Sequence, residues 1–175
     1  MTEPTNLTLL NRIFENLGLD LSKPHLEETP KRIIKMWKAL ILNEGKKPNK
    51  KLLTLFPTPK NLIGQEITVG DIPFSSICSH HFFPFNGKVS IRYSPTKVFS
   101  GISKFARIVE FYSLMPQIQE EFTNQVLTYL WNNLKPNFIE VIVVAEHTCM
   151  TSRGIKAVGS MTTTKQSRKK DKSIC

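Results

Sequence analysis

The sequence contains few cysteines and lacks a long hydrophobic run. Only three of its 175 residues are cysteine, a number that cannot form an even set of disulfides. No apolar stretch reaches the roughly 18 residues of a membrane-spanning helix, and no charged-then-apolar leader stands at the N-terminus. These absences predict a cytoplasmic protein with reduced thiols and no membrane partner. Reduced cysteines that lie near histidines in the sequence favour a metal site over a disulfide.

The net charge of +10 at pH 7 comes largely from two lysine-rich segments. The first contains Lys46, Lys47, Lys50 and Lys51, and the second lies within residues 165–175. We interpret both as solvated segments, although basic charge also attracts polyanions such as a nucleotide triphosphate or nucleic acid. Few aromatic residues lie among these lysines, so a nucleic-acid partner is not expected.

The spacing of apolar residues predicts an α+β fold. Two N-terminal segments and a central pair show helical periodicity, whereas alternating or β-branched runs before and after that pair predict strands. The helices are expected near residues 6–17, 30–41, 101–112 and 116–131, and the strands near residues 66–77, 87–93, 138–146 and 155–164. Two hairpins separated by a helix pair favour an antiparallel sheet with helices on one face.

Three regions are expected along the chain. Residues 1–50 are predicted to form an N-terminal helical region, residues 51–164 the main α+β domain, and residues 165–175 a basic, disordered tail. Within the main domain, Pro116 is expected to start the second central helix.

Two short clusters contain most of the cysteines and histidines. Cys78, His80 and His81 lie on the connection between the first two predicted strands, and His147 and Cys149 follow the strand at residues 138–146. Thiolate and imidazole are the ligands that zinc prefers. If the clusters meet in the fold, Cys78, Cys149 and one histidine supply three ligands and leave one position open, as in catalytic zinc sites. The remaining histidines could then donate and accept protons near neutral pH.

Spacing alone leaves several interpretations open. It does not decide whether His80 or His81 is the ligand. A closed structural site could use Cys78, His81, His147 and Cys149 together. The cysteines could also be small buried hydrophobic residues with no metal bound to them.

Four motifs, taken in order, resemble the GTP cyclohydrolase I family. They are Cys78-x-His80-His81 with Pro84-Phe85-x-Gly87-Lys88, then GISKFARIV from Gly101, PQIQE from Pro116, and His147-Thr148-Cys149-Met150-x-x-Arg153-Gly154. The resemblance covers about residues 7–164. It implies the tunnelling fold, with subunits that close into rings and stack as two pentamers in a homodecamer, and active sites between subunits. It also implies zinc-dependent hydrolysis of GTP to formate and 7,8-dihydroneopterin triphosphate, the first step of pterin and tetrahydrofolate synthesis.

The same resemblance implies roles for individual residues near the two clusters. Cys78, His81 and Cys149 would be the zinc ligands. His80 and His147 would be the catalytic acid/base pair.

Other residues would bind the substrate. The resemblance places Gln119 and Glu120 at the guanine base, where the carboxylate of Glu120 matches the adjacent N1–H and exocyclic amine. The triphosphate is expected near four residues of the second and fourth motifs. Lys104 and Arg107 share a helix face, and Ser103 lies near the helix start, where backbone N–H groups favour an anion. The four residues are Ser103, Lys104, Arg107 and Arg153.

Two alternatives come from other features of the chain. Ser79 stands where the family usually has a glutamate, and the segment after Thr164 is short and rich in lysine. These differences motivate a catalytically impaired paralogue that binds zinc and a purine or co-assembles with an active enzyme. A basic, nucleic-acid-binding zinc module is a third hypothesis, and it predicts a steep salt dependence of binding.

Overall fold

A computed structural model of the protein describes residues 4–49 and 52–170 and divides the chain into two compact units. The first unit is residues 1–42, and the second is residues 43–175. This boundary falls before the predicted one at residue 50, because Asn43 is bound to the second unit. Its backbone N–H donates to Leu114 O at 2.9 Å, and its Nδ2 donates to Phe111 O at 3.0 Å.

The first unit contains two amphipathic helices, α1 at Asn6–Asn16 and α2 at Thr29–Leu40, as the sequence predicted. The Oγ1 atom of Thr5 caps α1 by accepting a hydrogen bond from Thr8 N at 3.2 Å. Gly18 follows α1 with a φ of +82°, a conformation that glycine adopts at little cost. Apolar side chains of both helices line a cavity of about 300 Å³.

The second unit is built on a five-stranded sheet. Its strands and those of a small separate sheet are β1 (Leu55–Pro57), β2 (Ile67–Cys78), β3 (Pro84–Ser94), β4 (Val98–Ser100), β5 (Pro116–Gln117), β6 (Phe138–His147) and β7 (Thr162–Lys169). The helices are α3 (Ile102–Ser113), α4 (Gln119–Leu134) and α5 (Thr148–Thr151). The large sheet has the order β5-β2-β3-β6-β7 and is antiparallel except between β2 and β5. The predicted α+β class is therefore confirmed.

No helix in the described ranges is both long and apolar enough to cross a membrane.

The core lies between the large sheet and the helices α3 and α4. Val89, Ile91 and Tyr93 of β3 are almost completely buried, whereas Lys88 and Arg92 on the opposite face are exposed. Successive side chains of a strand point to opposite faces, so the alternation in the sequence determines which face is covered. The helices contribute Phe105, Ile108, Val109, Phe122, Val126, Leu127 and Leu130 to the same cluster.

The prediction of a disordered tail from residue 165 is wrong for residues 165–169, which belong to β7. Pairing with β6 and two side-chain contacts help to hold this segment. Lys165 Nζ lies 2.7 Å from a carboxylate oxygen of Glu140 on β6, and Arg168 donates to Thr128 Oγ1 at 2.8 Å. Lysine on an edge strand keeps its charge in water, and it also discourages pairing with other chains. Residues 171–175 lie outside the described part of the chain.

The strand predicted at residues 155–164 begins only at Thr162. Gly154, Lys156 and Gly159 before it have φ angles of +62°, +47° and +77°. An extended backbone requires negative φ, so this segment turns instead.

The helix predicted from Pro116 begins instead at Gln119. Pro116 and Gln117 form β5, which pairs with the end of β2 through Ile77 and Cys78. The side-chain amide of Gln117 is buried and donates to Ser76 Oγ at 3.2 Å and to Tyr112 O. These bonds hold the segment against β2, which ends at the first cluster.

Gly87 is the point of closest approach between β3 and β6, and replacing it with alanine should severely destabilise the protein. An added Cβ would lie 2.0 Å from Val144 O and 2.7 Å from Ala145 Cα, both backbone atoms that cannot move independently. We expect Gly87→Ala to cost about 3 kcal/mol or more in the free energy of unfolding, or about 10 °C in Tm. Gly70→Ala is the matched control, because its nearest neighbour would be Ser90 Oγ at 3.7 Å. Equal thermal unfolding curves for the two variants would contradict this packing.

Candidate metal centre and active site

Sheet register brings the two predicted clusters together. Cys78 is the last residue of β2, and His147 is the last residue of β6. Both strands flank the start of β3, where Ile77 pairs with Pro84 and Phe85 pairs with His147. Residues far apart in the sequence therefore meet at one end of the sheet.

The loop between β2 and β3 is a tight turn that carries His80 and His81. Cys78 N donates to Phe83 O at 2.9 Å, and Phe82 N donates to Cys78 O at 2.9 Å. Phe82 closes the turn with a φ of +55°, which is uncommon for a large side chain. His80 is turned back toward the strand end, with its Nδ1 3.7 Å from Cys78 Sγ.

Cys149 lies on α5, which directly follows β6. Thr148 Oγ1 donates to Pro84 O at 2.6 Å and fixes the start of this short helix against β3. Ligand atoms of Cys78, His147 and Cys149 all lie within 4.8 Å of one another. Two sulfurs and one imidazole nitrogen at this separation are a donor set that suits a thiophilic metal such as zinc. The three residues could therefore hold a metal ion.

His147 is held on two sides. Its ring stacks on the buried ring of Phe85, with centroids 4.8 Å apart and planes 1° apart. Its Nε2 lies 2.8 Å from Gln119 Oε1. Because both contacts come from regular elements, the imidazole plane is set by the fold and not by a flexible loop.

Burial affects the protonation of the second cluster, His147 and Cys149. It lowers the pKa of His147, against an opposing contribution from the Glu120 carboxylate, while the neighbouring His80 lowers it further. Burial is the main cause that raises the pKa of the Cys149 thiol, and the adjacent Cys78 raises it further. The positive charge of Arg153 lowers this pKa. His147 is thus favoured in its neutral form, which can accept a proton or bind a metal.

A cavity of about 290 Å³ opens beside these side chains. Its lining joins the β2–β3 loop, the first turn of α4, the end of β6 and the start of β7. The lining residues are Cys78, His80, His81, Ile118, Gln119, Glu120, His147, Cys149, Met150 and Thr162. Glu120 is exposed at this rim, so its carboxylate can contact a ligand.

Residues 8–173 match the sequence profile of GTP cyclohydrolase I. The chain belongs to the GTP cyclohydrolase I family. It is 37% identical over 153 residues to the GTP cyclohydrolase 1 of Carboxydothermus hydrogenoformans, covering 87% of this chain and 78% of that protein. It is 41% identical over 158 residues to the GTP cyclohydrolase 1 of Streptococcus pyogenes serotype M18, covering 90% and 80%.

Comparison with solved structures gives a more distant likeness. The apo form of the archaeosine synthase QueF-Like matches with a TM-score of 0.45 and 16% identity, covering 70% of this chain and 95% of that chain. Membership of the GTP cyclohydrolase I family itself confirms the tunnelling fold that the resemblance implied.

The structure brings together seven of the residues for which the GTP cyclohydrolase I resemblance implies roles. These are the cavity-lining residues Cys78, His80, His81, Gln119, Glu120, His147 and Cys149. Among the described residues, the close group of possible metal ligands contains His147 and not His81. Sequence reasoning missed Phe85 and Thr162 as neighbours of the site. Phe85 belongs to the first motif, which could have indicated its role, whereas Thr162 belongs to none of the four motifs.

The four residues expected to bind the triphosphate lie in two different parts of the fold. Arg153 is exposed, follows Cys149 by four residues and lowers the pKa of the Cys149 thiol through its charge, but it does not line the cavity. Ser103, Lys104 and Arg107 lie on α3, and no α3 residue of the described chain lines the cavity. Arg107 instead lines a groove between α3 and β2 with Phe74 and Glu110.

Proposed function

We propose that the protein hydrolyses GTP to formate and 7,8-dihydroneopterin triphosphate, the first step of pterin and tetrahydrofolate synthesis. One observation carries the proposal. In a chain of the GTP cyclohydrolase I family, two thiols and an imidazole converge within 4.8 Å of one another in a cavity that also contains two further histidines and Glu120. Metal ligands, proton carriers and a base-recognising carboxylate are the groups that this hydrolysis requires.

Zinc is the metal we propose for this centre, and the two sulfurs support it. Cys78 and Cys149 would bind it with one histidine, which leaves a position open. Zinc bound in this way would activate a water and polarise the atom under attack. Thiols so close together must stay reduced to bind a metal, which is consistent with a cytoplasmic location.

Two histidines compete for the third metal ligand. Family resemblance favours His81, which lines the cavity and follows Cys78 by three residues. The distances favour His147. We propose His81, because this leaves His80 and His147 as proton carriers, and the metal content of variants at both positions tests the choice.

Two successive hydrolytic steps at C8 of guanine require proton transfers, which we assign to His80 and His147. Ring nitrogens must be protonated as they become leaving groups. A neutral His147, favoured by burial, can take a proton from the attacking water and return it to a leaving nitrogen. His80 lies beside Cys78, so it can act on the same atoms from the β2–β3 loop.

The guanine base is proposed to contact Glu120 at the first turn of α4. Its two carboxylate oxygens can accept hydrogen bonds from N1–H and the exocyclic amine together. This pairing selects guanine over adenine, which offers an acceptor at N1.

Oligomerisation is proposed to complete the site. None of the four proposed triphosphate residues lines the cavity. Arg153 follows the lining residues Cys149 and Met150 closely in sequence and would contribute from the same chain, whereas Ser103, Lys104 and Arg107 lie on α3. A neighbouring subunit in a ring could supply these three residues to the triphosphate. We propose a homodecamer of two stacked pentamers, with each active site at a subunit interface.

The function is tested by incubating purified, zinc-loaded protein with GTP. We expect formate to be released and a fluorescent pterin to appear after oxidation, while Cys149→Ala gives neither. Wild-type turnover no higher than that of the variant would contradict the proposal. GTP binding without product would instead support a catalytically impaired, purine-binding paralogue.

A further inference from the structure

The side chain of Gln119 is buried at the start of α4, directly beneath His147. Only 1% of the residue is exposed. Family resemblance implied a contact between this residue and the guanine base, which requires an amide atom free to reach the ligand. In the structure both ends of the amide are already bound inside the chain.

The orientation of this amide follows from its partners. One end lies 3.0 Å from Val143 O and 3.0 Å from Thr162 O. Backbone carbonyls can only accept hydrogen bonds, so this end must be the NH₂ group. The other end, which faces His147, must then be the carbonyl oxygen Oε1.

The orientation of Gln119 determines which nitrogen of His147 carries a proton. Oε1 can only accept, and it lies 2.8 Å from His147 Nε2, so Nε2 must donate. In the neutral imidazole the other nitrogen, Nδ1, then has the free lone pair. Nδ1 is therefore the atom that would accept a proton if His147 is a proton carrier, or coordinate the ion if His147 is a metal ligand.

Two threonines hold the amide in place. Gln119 Nε2 also lies 3.2 Å from Thr164 Oγ1. Thr164 Oγ1 is in turn 2.6 Å from Thr123 Oγ1, and Thr123 Oγ1 donates to the backbone oxygen of Gln119 at 2.8 Å. The hydroxyls thus form a ring of hydrogen bonds that returns to the backbone of Gln119. Flipping the amide would break several of these bonds and put Oε1 against two carbonyl oxygens.

We propose that Gln119 is a positioning residue that fixes the Nε2–H tautomer and the ring plane of His147, and that its side chain does not contact the guanine base. Removing a hydrogen-bond partner that orients a histidine at a metal site typically changes activity or metal affinity by about 10- to 100-fold. The part of this proposal that concerns turnover rests on the proposed function, whereas the part that concerns the tautomer does not.

The first test needs no activity. In protein labelled with ¹⁵N-histidine, the His147 ring, assigned from its loss in His147→Gln, should give an Nε2–H signal that exchanges slowly with water. Gln119→Leu, which keeps the volume and removes the acceptor, should lose this slow exchange. A wild-type His147 protonated on Nδ1 alone would overturn the proposal, and this result does not depend on the folding of Gln119→Leu.

The matched control is Thr164→Val. It removes a hydroxyl of the same hydrogen-bond ring but leaves Val143 O and Thr162 O to hold both amide hydrogens. We expect it to lower Tm while the slow Nε2–H signal persists. Loss of the signal in this control as well would show general loosening of the structure and would contradict a specific role for Gln119.

The second test separates positioning from base contact. Gln119→Leu should lower kcat for GTP by about 10- to 100-fold, with the affinity for a non-hydrolysable GTP analogue within about twofold of wild type. A large loss of affinity with unchanged kcat would identify a base contact and overturn the proposal. If the wild type binds GTP but makes no product, the proposed function fails, and the ¹⁵N experiment still decides the role of Gln119.

Discussion

Replacing Cys149 with alanine should remove the bound metal and lower GTP turnover by about 10³-fold or more. The variant loses one of two sulfurs that lie close together at the centre, and sulfur is the strongest zinc ligand available there. A metal centre of this kind supplies several kcal/mol of transition-state stabilisation, and each 1.36 kcal/mol corresponds to a factor of ten in rate. Metal content by elemental analysis and formate release should be measured on the same preparation.

Thr151→Ala is the matched control for this loss, since Thr151 lies on the same short helix and outside the ligand group. It should retain the metal. His81→Ala and His147→Ala extend the comparison, because the variant at the true third ligand should lose metal while the other keeps it and loses turnover. Full metal content in Cys149→Ala would mean that the two clusters do not share one ion.

Much of the fold could be predicted from the sequence because one face of each central strand is buried. Alternation in β3 put Val89, Ile91 and Tyr93 on the core side, and the structure confirms this. Apolar spacing predicted the central helices in the same way, through residues such as Phe105 and Leu127. These signals are strong because a shift of one residue would turn every core side chain toward solvent.

The edge strands β5 and β7 could not be predicted from the alternation of apolar residues. β7 alternates between partly buried and exposed positions, and its exposed positions carry polar and charged residues. Such a segment resembles a solvated tail until a partner strand is known. Its position depends on pairing with β6, where Glu140 binds both Arg92 and Lys165. The two-residue strand β5 likewise depends on Gln117 reaching Ser76.

At the site, the sequence predicted which residues meet but not how they meet. Cysteines and histidines at two strand ends suggested a shared centre, but their spacing alone also allowed a closed structural site or no metal, and the family resemblance favoured the catalytic arrangement. The role of Gln119 was different. Gln119 is buried, whereas its neighbour Glu120 is exposed. The sequence alone does not show which of two adjacent polar residues at the start of a helix will be buried. Only the positions of Val143 O and Thr162 O show which way the amide is turned.

Glu120→Ala should abolish the selectivity for guanine while leaving the metal in place. Glu120 lines the cavity but lies outside the group of possible metal ligands. Each hydrogen bond to a charged group contributes about 1.5–3 kcal/mol, so loss of two should weaken GTP binding by about 10²-fold or more. Inosine triphosphate lacks the exocyclic amine. Wild-type protein should therefore bind it about 10-fold more weakly than GTP, and the variant should bind both about equally, as measured by equilibrium titration.

Glu121→Ala provides a close control for this experiment. Glu121 follows Glu120 in the same first turn of α4, is exposed, and does not line the cavity. Both variants remove one negative charge near the helix N-terminus, so any general effect on net charge or on the helix dipole should be similar. GTP affinity should stay within about twofold of wild type in Glu121→Ala. If the two variants weakened GTP equally, the carboxylate of Glu120 would act through its charge alone. If Glu120→Ala still preferred GTP over inosine triphosphate, another group would recognise the exocyclic amine. Either result would contradict pairing of Glu120 with the base.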